Sequence, residues 1–344
     1  MKPFEARVTE QWSLPVDDVR TLCVSTSDSA IRVAGAETDQ IHVHAIKTVR
    51  AATEAAARAF LEQMKVERRR EGERWVIEAT WPSPRPHGVE SAGVAFEIQA
   101  PHGIHLEAKS SNGAIEATGI NQARLRTSNG QITAREIAAS LEARTSNGAV
   151  RVEGCAGPVD AKTENGRIEV RRAESEVRAI TSNGAIQVES CAGPVELKTE
   201  NGRIEVLQTR NAITAHTCNG AIRTEACPGP IEARTSSGEI VIHQALERVL
   251  ARASDGRIEV ELASGQTAPE AELTTSNSSI DLRLPETVSA KLVADTSNAR
   301  ISMEPSASGR VSAGATHLEA VLGDGEGSIR LRTSNGPIRI RLTG

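Results

Sequence analysis

One basic side chain returns at multiples of 18 residues through the middle of this chain: Arg126, Arg144, Lys162, Lys198, Arg234 and Arg252, with Ile180 and His216 in the two remaining slots. Cations repeated along one face could track an anionic polymer, an acidic glycan or a nucleic acid, because each charge would meet a repeated negative group. Like charges stacked at strand spacing also repel, so the row needs an offset of some kind. The sequence supplies one, since Glu142, Asp160, Glu196 and Glu232 precede a basic position by two residues and Glu164 and Glu200 follow one by two. A polyanion is the functional account of the row, and neutralisation by neighbours is the structural one.

Other chemistry is sparse. Of eight His, His42 and His44 share a strand face and His102 and His105 do so loosely, but no third ligand is in sight, so the sequence points to no metal site. Gly323-Asp324-Gly325-Glu326-Gly327 has the flavour of calcium-binding nonapeptides, yet it occurs once and off register. Phosphate loop, nucleophile elbow and Cys-x-x-Cys pair are all absent, so no cofactor is implied. A carbohydrate-cleaving β-helix would need paired carboxylates in a cleft. Outward acids are available, but residues 101–262 contain no Phe, Trp or Tyr to floor a sugar site, and the reading is therefore not an enzyme. Cys155, Cys191 and Cys227 recur every 36 residues, which places them about 9.6 Å apart on stacked strands and out of disulfide reach.

The elements that position these residues announce themselves by repetition. A tetrapeptide close to Thr-Ser-Asn-Gly places Asn, or its stand-in, at Asn112, Asn129, Asn147, Asn165, Asn183, Asn201, Asn219, Ser237 and Asp255. A fixed period near 20 residues marks a repeat architecture, in which each unit buries its apolar side against its neighbours. Around each tetrapeptide apolar and polar residues alternate, as in Val159, Ala161 and Thr163 followed by Ile168 and Val170, and a period of two means strands. Asn-Gly is expected to take positive φ and bend the chain between them. A meander of hairpins has no need of identical residues 18 apart, whereas a coil stacked on the last one does. The expected fold is all-β, a parallel β-solenoid of roughly 12 or 13 coils, with inward Thr and Asn columns forming hydrogen-bonded ladders. With only 2% aromatic residues, such a thin interior suits the composition.

In chain order, residues 19–49 read as early irregular coils, and Thr53 to Met64 as one amphipathic capping helix with Ala56, Ala57, Phe60, Leu61 and Met64 on one side. Two strands follow around Glu71-Gly72-Glu73, then a Pro-rich linker from Trp81 to Gly93. The implied division is 1–100 (irregular coils, helix and hairpin), 101–262 (regular repeats) and 263–344 (irregular coils continuing the solenoid), with Ile338, Ile340 and Leu342 closing the far end. Net charge is −5, which gives no overall pull toward nucleic acid. With neither a leader nor an 18-residue apolar run, the expected location is cytoplasmic, or the cell surface if the chain has been trimmed.

FEIQAPHGIHLEAKSSNGAIEATGI followed by repeated TSNG-I-V units, after a helix and a two-strand segment, resembles the bacterial putative adhesin family of uncharacterised β-solenoid domain proteins. The resemblance implies surface attachment; with the basic row it leads to an expected non-catalytic interaction or scaffold module whose partner is a protein or an anionic polymer. Two alternatives stand beside it: end-to-end self-assembly, as in bactofilins, and a carbohydrate-active β-helix. Filaments in sedimentation or electron microscopy would mark assembly, and a monomer would mark the module.

Overall fold

Alternation in the sequence becomes strands in the structure, a computed structural model that describes residues 3–265, 268–304 and 311–343. The fold is a parallel β-solenoid whose coils contribute one strand to each of two sheets, with a single helix among the described residues. The chain divides into two units, 1–167 and 168–344.

The first unit opens with β1 (Phe4–Pro15), β2 (Thr21–Ser25), β3 (Ile31–Ala36), β4 (Gln40–Ala51), α1 (Glu54–Gln63), β5 (Lys65–Glu71), β6 (Arg74–Thr80), β7 (Val89–Pro101), β8 (His105–Lys109) and β9 (Ile115–Thr118). One sheet runs β1, β4, β7, β3, β9 and then the strands starting at Ile132 and Val150. The other runs β5, β6, β2, β8 and then those starting at Gln122, Leu141 and Val159. Of the early coils expected over 19–49, the one made by β2 and β3 is real but out of order, lying between the β6–β7 pair and the β8–β9 pair, whereas β4, with Ile41 and Val43, runs antiparallel between β1 and β7 and is not part of a coil. Ile31 sits between Phe96 and Ile115, which are remote from it in the chain. The expected linker is also shorter than the sequence suggested, because Val89 already begins β7 and faces Ala51 of β4.

Thr53 caps α1 by accepting a hydrogen bond from Ala56 N at 3.2 Å, and the helix buries Ala57, Phe60 and Leu61 against β1 and β4. Lys47 Nζ, nearly buried, donates to Met64 O at 2.8 Å just past the helix C-terminus and pairs with Glu10 at 2.6 Å, so β1, β4 and α1 are held by one ammonium group. Its charge also complements the negative end of the helix.

In the second unit the register Ile168, Ile186, Ile204, Ile222, Ile240, Ile258, Ile280, Ile338 forms an isoleucine column through one sheet. The chain order breaks again at its end. The strand Ile338–Thr343 lies between Ile280–Pro285 and Ile301–Glu304, and Gly327–Arg332 lies between Glu270–Thr274 and Ala290–Asp295. Ile338 and Ile340 are thus core residues of an inserted coil, and the far edge is formed by Ile301–Glu304 instead. The reason is local: the strand His317–Leu322 lies antiparallel on one side of Ala290–Asp295, and the turn at Gly323 and Gly325, both with positive φ, carries the chain across to the other side of that strand, one coil inward.

Two corners join the strands of each coil, and they work differently. At the Thr-Ser-Asn-Gly corner the glycines do not have positive φ, contrary to the sequence expectation. Glycine is required there because coils touch: a Cβ on Gly148 would overlap Gly130 O, and one on Gly220 would overlap Gly202 O. Thr145, buried, accepts from Gly148 N at 3.2 Å and donates to Gly130 O at 3.1 Å, closing its own corner and stitching it to the coil before. Thr127, Thr199 and Thr217 repeat both bonds. The asparagines form the expected ladder but on the exposed side: Asn147 Nδ2 donates to Asn129 Oδ1 at 2.7 Å, and Asn129 to Asn112 at 2.6 Å. Where a run begins, the acceptor is a carboxylate, Asp28 for Asn112 and Asp255 for Asn277, each at 2.6 Å.

At the opposite corner the residue just before the Cys155, Cys191 and Cys227 slot is left-handed in successive coils: Glu136, Gly154, Arg172, Ser190, Gln208, Ala226 and Gln244 have φ of 53, 75, 54, 57, 52, 53 and 58°. Only one of the seven is glycine.

Candidate functional site

The basic row faces solvent on the second sheet, and its members stack in register. In the first unit Lys109, Arg126, Arg144 and Lys162 form one column. In the second unit the column reads Ile180, Lys198, His216, Arg234, Arg252, Thr274 and Arg332. Strand pleating sets the adjacent outward column two residues upstream, and that column carries the acids.

Four of the six predicted cations are ion-paired. Arg126 reaches Glu142 at 2.8 Å, and Arg144 reaches Glu142 at 2.9 Å and Asp160 at 3.3 Å. Arg234 pairs with Glu232 at 2.6 Å and Arg252 with Glu272 at 2.8 Å. Burial acts to raise the Glu142 carboxyl, but hydrogen bonds and charge from Arg126, Arg144 and Arg124 outweigh it and hold the group below its ordinary range. Burial, assisted by Arg234, pushes His216 down, so this slot of the column favours a neutral ring. Lys162 and Lys198 have no carboxylate within 4.0 Å among the described residues. Glu196, expected to serve Lys198, turns to Arg178 at 3.7 Å, while the backbone of Glu200 belongs to the corner.

Two members of the column were missed from sequence. Lys109 lies 17 residues before Arg126, which the shorter first repeat would have predicted. Arg332 carried a signal too, since it directly precedes Thr333-Ser334-Asn335-Gly336 just as Arg144 precedes Thr145, but its coil is inserted out of order beside Thr274. The inserted coil also completes a denser network on the first sheet. Asp281, nearly buried, lies 3.0 Å from Arg257 and 3.4 Å from Arg339, and Glu259 takes Arg257 and Arg283 at 2.8 and 2.9 Å.

The first unit has an open groove of about 550 Å³ on its outer face, lined by Arg32, His42, His44, Glu97, Gln99 and Glu116 among others. Both imidazoles of that strand face line it, with His42 within hydrogen-bond distance of Ser13 Oγ (2.9 Å) and Thr38 Oγ1 (3.3 Å), while His102 Nδ1 donates to Gly119 O at 2.7 Å outside the groove. Among the described residues no three His, Cys, Asp or Glu side chains are grouped to hold a metal ion. Cys155, Cys191 and Cys227 are buried free thiols, and burial pushes Cys191 up to about 11, which leaves it a small apolar filler. No helix among the described residues is long and apolar enough to cross a membrane.

Solved structures similar to the chain include a putative cell adhesion protein from Clostridium sporogenes, at 10% identity over 99% of this chain and 100% of that one, with a TM-score of 0.20. A putative adhesin from Parabacteroides merdae is 13% identical over 78% of this chain and 93% of that one, with a TM-score of 0.31. A putative lipid binding protein from Parabacteroides distasonis is 12% identical over 82% and 95%, also at 0.31. No curated protein matches the chain. The model of one family, Toastrack DUF4097, matches residues 19–317, and the chain belongs to that family.

Proposed function

We propose that this protein is a non-catalytic, adhesin-like interaction module whose outer faces engage an extended partner. The observation that carries the reading is the register of the outward columns: a contact made by one coil is offered again about 4.8 Å further on by the next. Repeated weak contacts to one polymer act together, since each after the first is intramolecular. The experiment is incubation of the purified chain with immobilised acidic polysaccharides, polygalacturonate and alginate, following both retention and new reducing ends. Retention without release of reducing ends is expected, and steady release would overturn the non-catalytic reading.

Within this reading the polyanion contact is narrower than the full row Arg126, Arg144, Lys162, Lys198, Arg234 and Arg252. Arginines already paired with Glu142, Asp160, Glu232 and Glu272 have less to offer, which supports Lys162 and Lys198 as the free charges. Lys162→Glu and Lys198→Glu should each weaken retention on dextran sulfate about threefold at low salt, with the difference fading as salt screens it. Retention indifferent to both variants and to salt would remove the basic column from the binding face.

A further inference from the structure

The outer sheet edges of the two units are guarded unequally. In the second unit they are short, Ile301–Glu304 and Val311–Ala313. In the first unit β5 is an edge with six charged residues among its seven, Lys65, Glu67, Arg68, Arg69, Arg70 and Glu71. Short or charged edges resist pairing with another chain. The remaining edge, β1, is 12 residues long and pairs only with β4. It also holds two of the large apolar residues that are most exposed among the described residues, Phe4 at 37% and Val8 at 47%.

The Leu14 end of β1 is occupied. Trp75 Nε1 donates to Pro15 O at 2.9 Å, and the Arg68 guanidinium lies 5.2 Å over the Trp12 ring. The free part is therefore the stretch from Phe4 to about Gln11. Within it Phe4, Ala6 and Val8 share one face and Glu5 and Arg7 the other. Arg7 has no carboxylate partner among the described residues, and Glu5 holds only the exposed Arg50, at 2.8 Å.

We propose that β1 pairs antiparallel with β1 of a second copy of this chain, about a two-fold axis at Ala6. In that register Phe4 faces the second copy's Val8 and Glu5 faces its Arg7, each pair occurring twice by symmetry, with Ala6 facing its own copy on the axis. Other registers lack this match: an axis at Arg7 would set arginine against arginine, and one at Val8 would bring in Trp12, already covered by Arg68. Opposite charges and apolar pairs directly across two strands are the favourable cross-strand combinations. An isologous contact of this kind closes after two copies and does not propagate. α1 covers the face of β1 and β4 and leaves the edge of β1 open.

Sedimentation equilibrium of the full chain over a range of concentrations tests this. The unmodified chain should dimerise, and Arg7→Glu and Glu5→Arg should each weaken the dimer about tenfold, which corresponds to roughly 1.4 kcal/mol. Mixing the two variants should restore association, since both cross-strand pairs then become opposite in charge. Val8→Lys should weaken it without rescue. A monomer at every concentration would overturn the proposal, and so would a dimer untouched by all three substitutions. Circular dichroism of each variant separates lost pairing from lost folding, and the charge rescue cannot arise from misfolding.

Discussion

The two corners of each coil do the same geometric job by opposite means. At the Thr-Ser-Asn-Gly corner residue type is nearly constant, yet the glycines do not have positive φ. At the other corner the backbone is left-handed in coil after coil, yet the residue is Glu136, Arg172, Ser190, Gln208, Ala226 or Gln244 far more often than glycine. The difference lies in what each position touches. A Cβ on Gly148 or Gly238 would strike the carbonyl oxygen of the preceding coil, a clash no rotamer can relieve. A Cβ at the left-handed corner meets no such wall, since the one that glycine Gly154 lacks would sit 3.7 Å from Glu136 N. There the cost is only the intrinsic preference of an L-residue, about 1–2 kcal/mol. Contact between coils constrains sequence more than local conformation does.

Three substitutions probe that contrast. Gly148→Ala should be the most damaging, lowering stability in urea unfolding by about 3 kcal/mol or more, because two backbones must part to admit the methyl. If the variant were as stable as the parent, the close-approach account of this corner would be wrong. Thr145→Val keeps shape but removes the hydroxyl that serves Gly148 N and Gly130 O. It should cost about 2 kcal/mol by the same measurement, with faster amide exchange at Gly148 as its local signature. The smallest effect has the opposite sign: Ala226→Gly should raise stability by about 0.5–1 kcal/mol, the relief of left-handed strain less the entropy that glycine loses on folding. A loss of stability there would mean that the Ala226 side chain packs more than its backbone strains.

The basic column shows how far a site can be read without coordinates of its neighbours. Period alone places Arg126, Arg144, Arg234 and Arg252 on one face and makes the acids two residues away their offset; Arg144 and Arg234 do pair with Glu142 and Glu232 in this way, whereas Arg126 reaches Glu142, and Arg144 also reaches Asp160, on the next coil. The partner of Arg252, Glu272, was not foreseen, because it lies on the next coil after the spacing loosens. Which lysines stay free was equally invisible, since Glu196 could serve Lys198 or Arg178 and only geometry chooses.

Period and alternation by themselves determined the coil, its two strands, the parallel stacking and the capping helix, because each depends on residues within one repeat or one repeat apart. Tertiary structure alone decided which coil lies beside which at the two ends. Ile31 between Phe96 and Ile115, and Ile338 between Ile280 and Ile301, join segments far apart in the chain. Their apolar faces are interchangeable with those of ordinary coils, so alternation cannot order them. The order is set by long antiparallel strands and tight turns that return the chain inward, and those interactions leave no periodic trace.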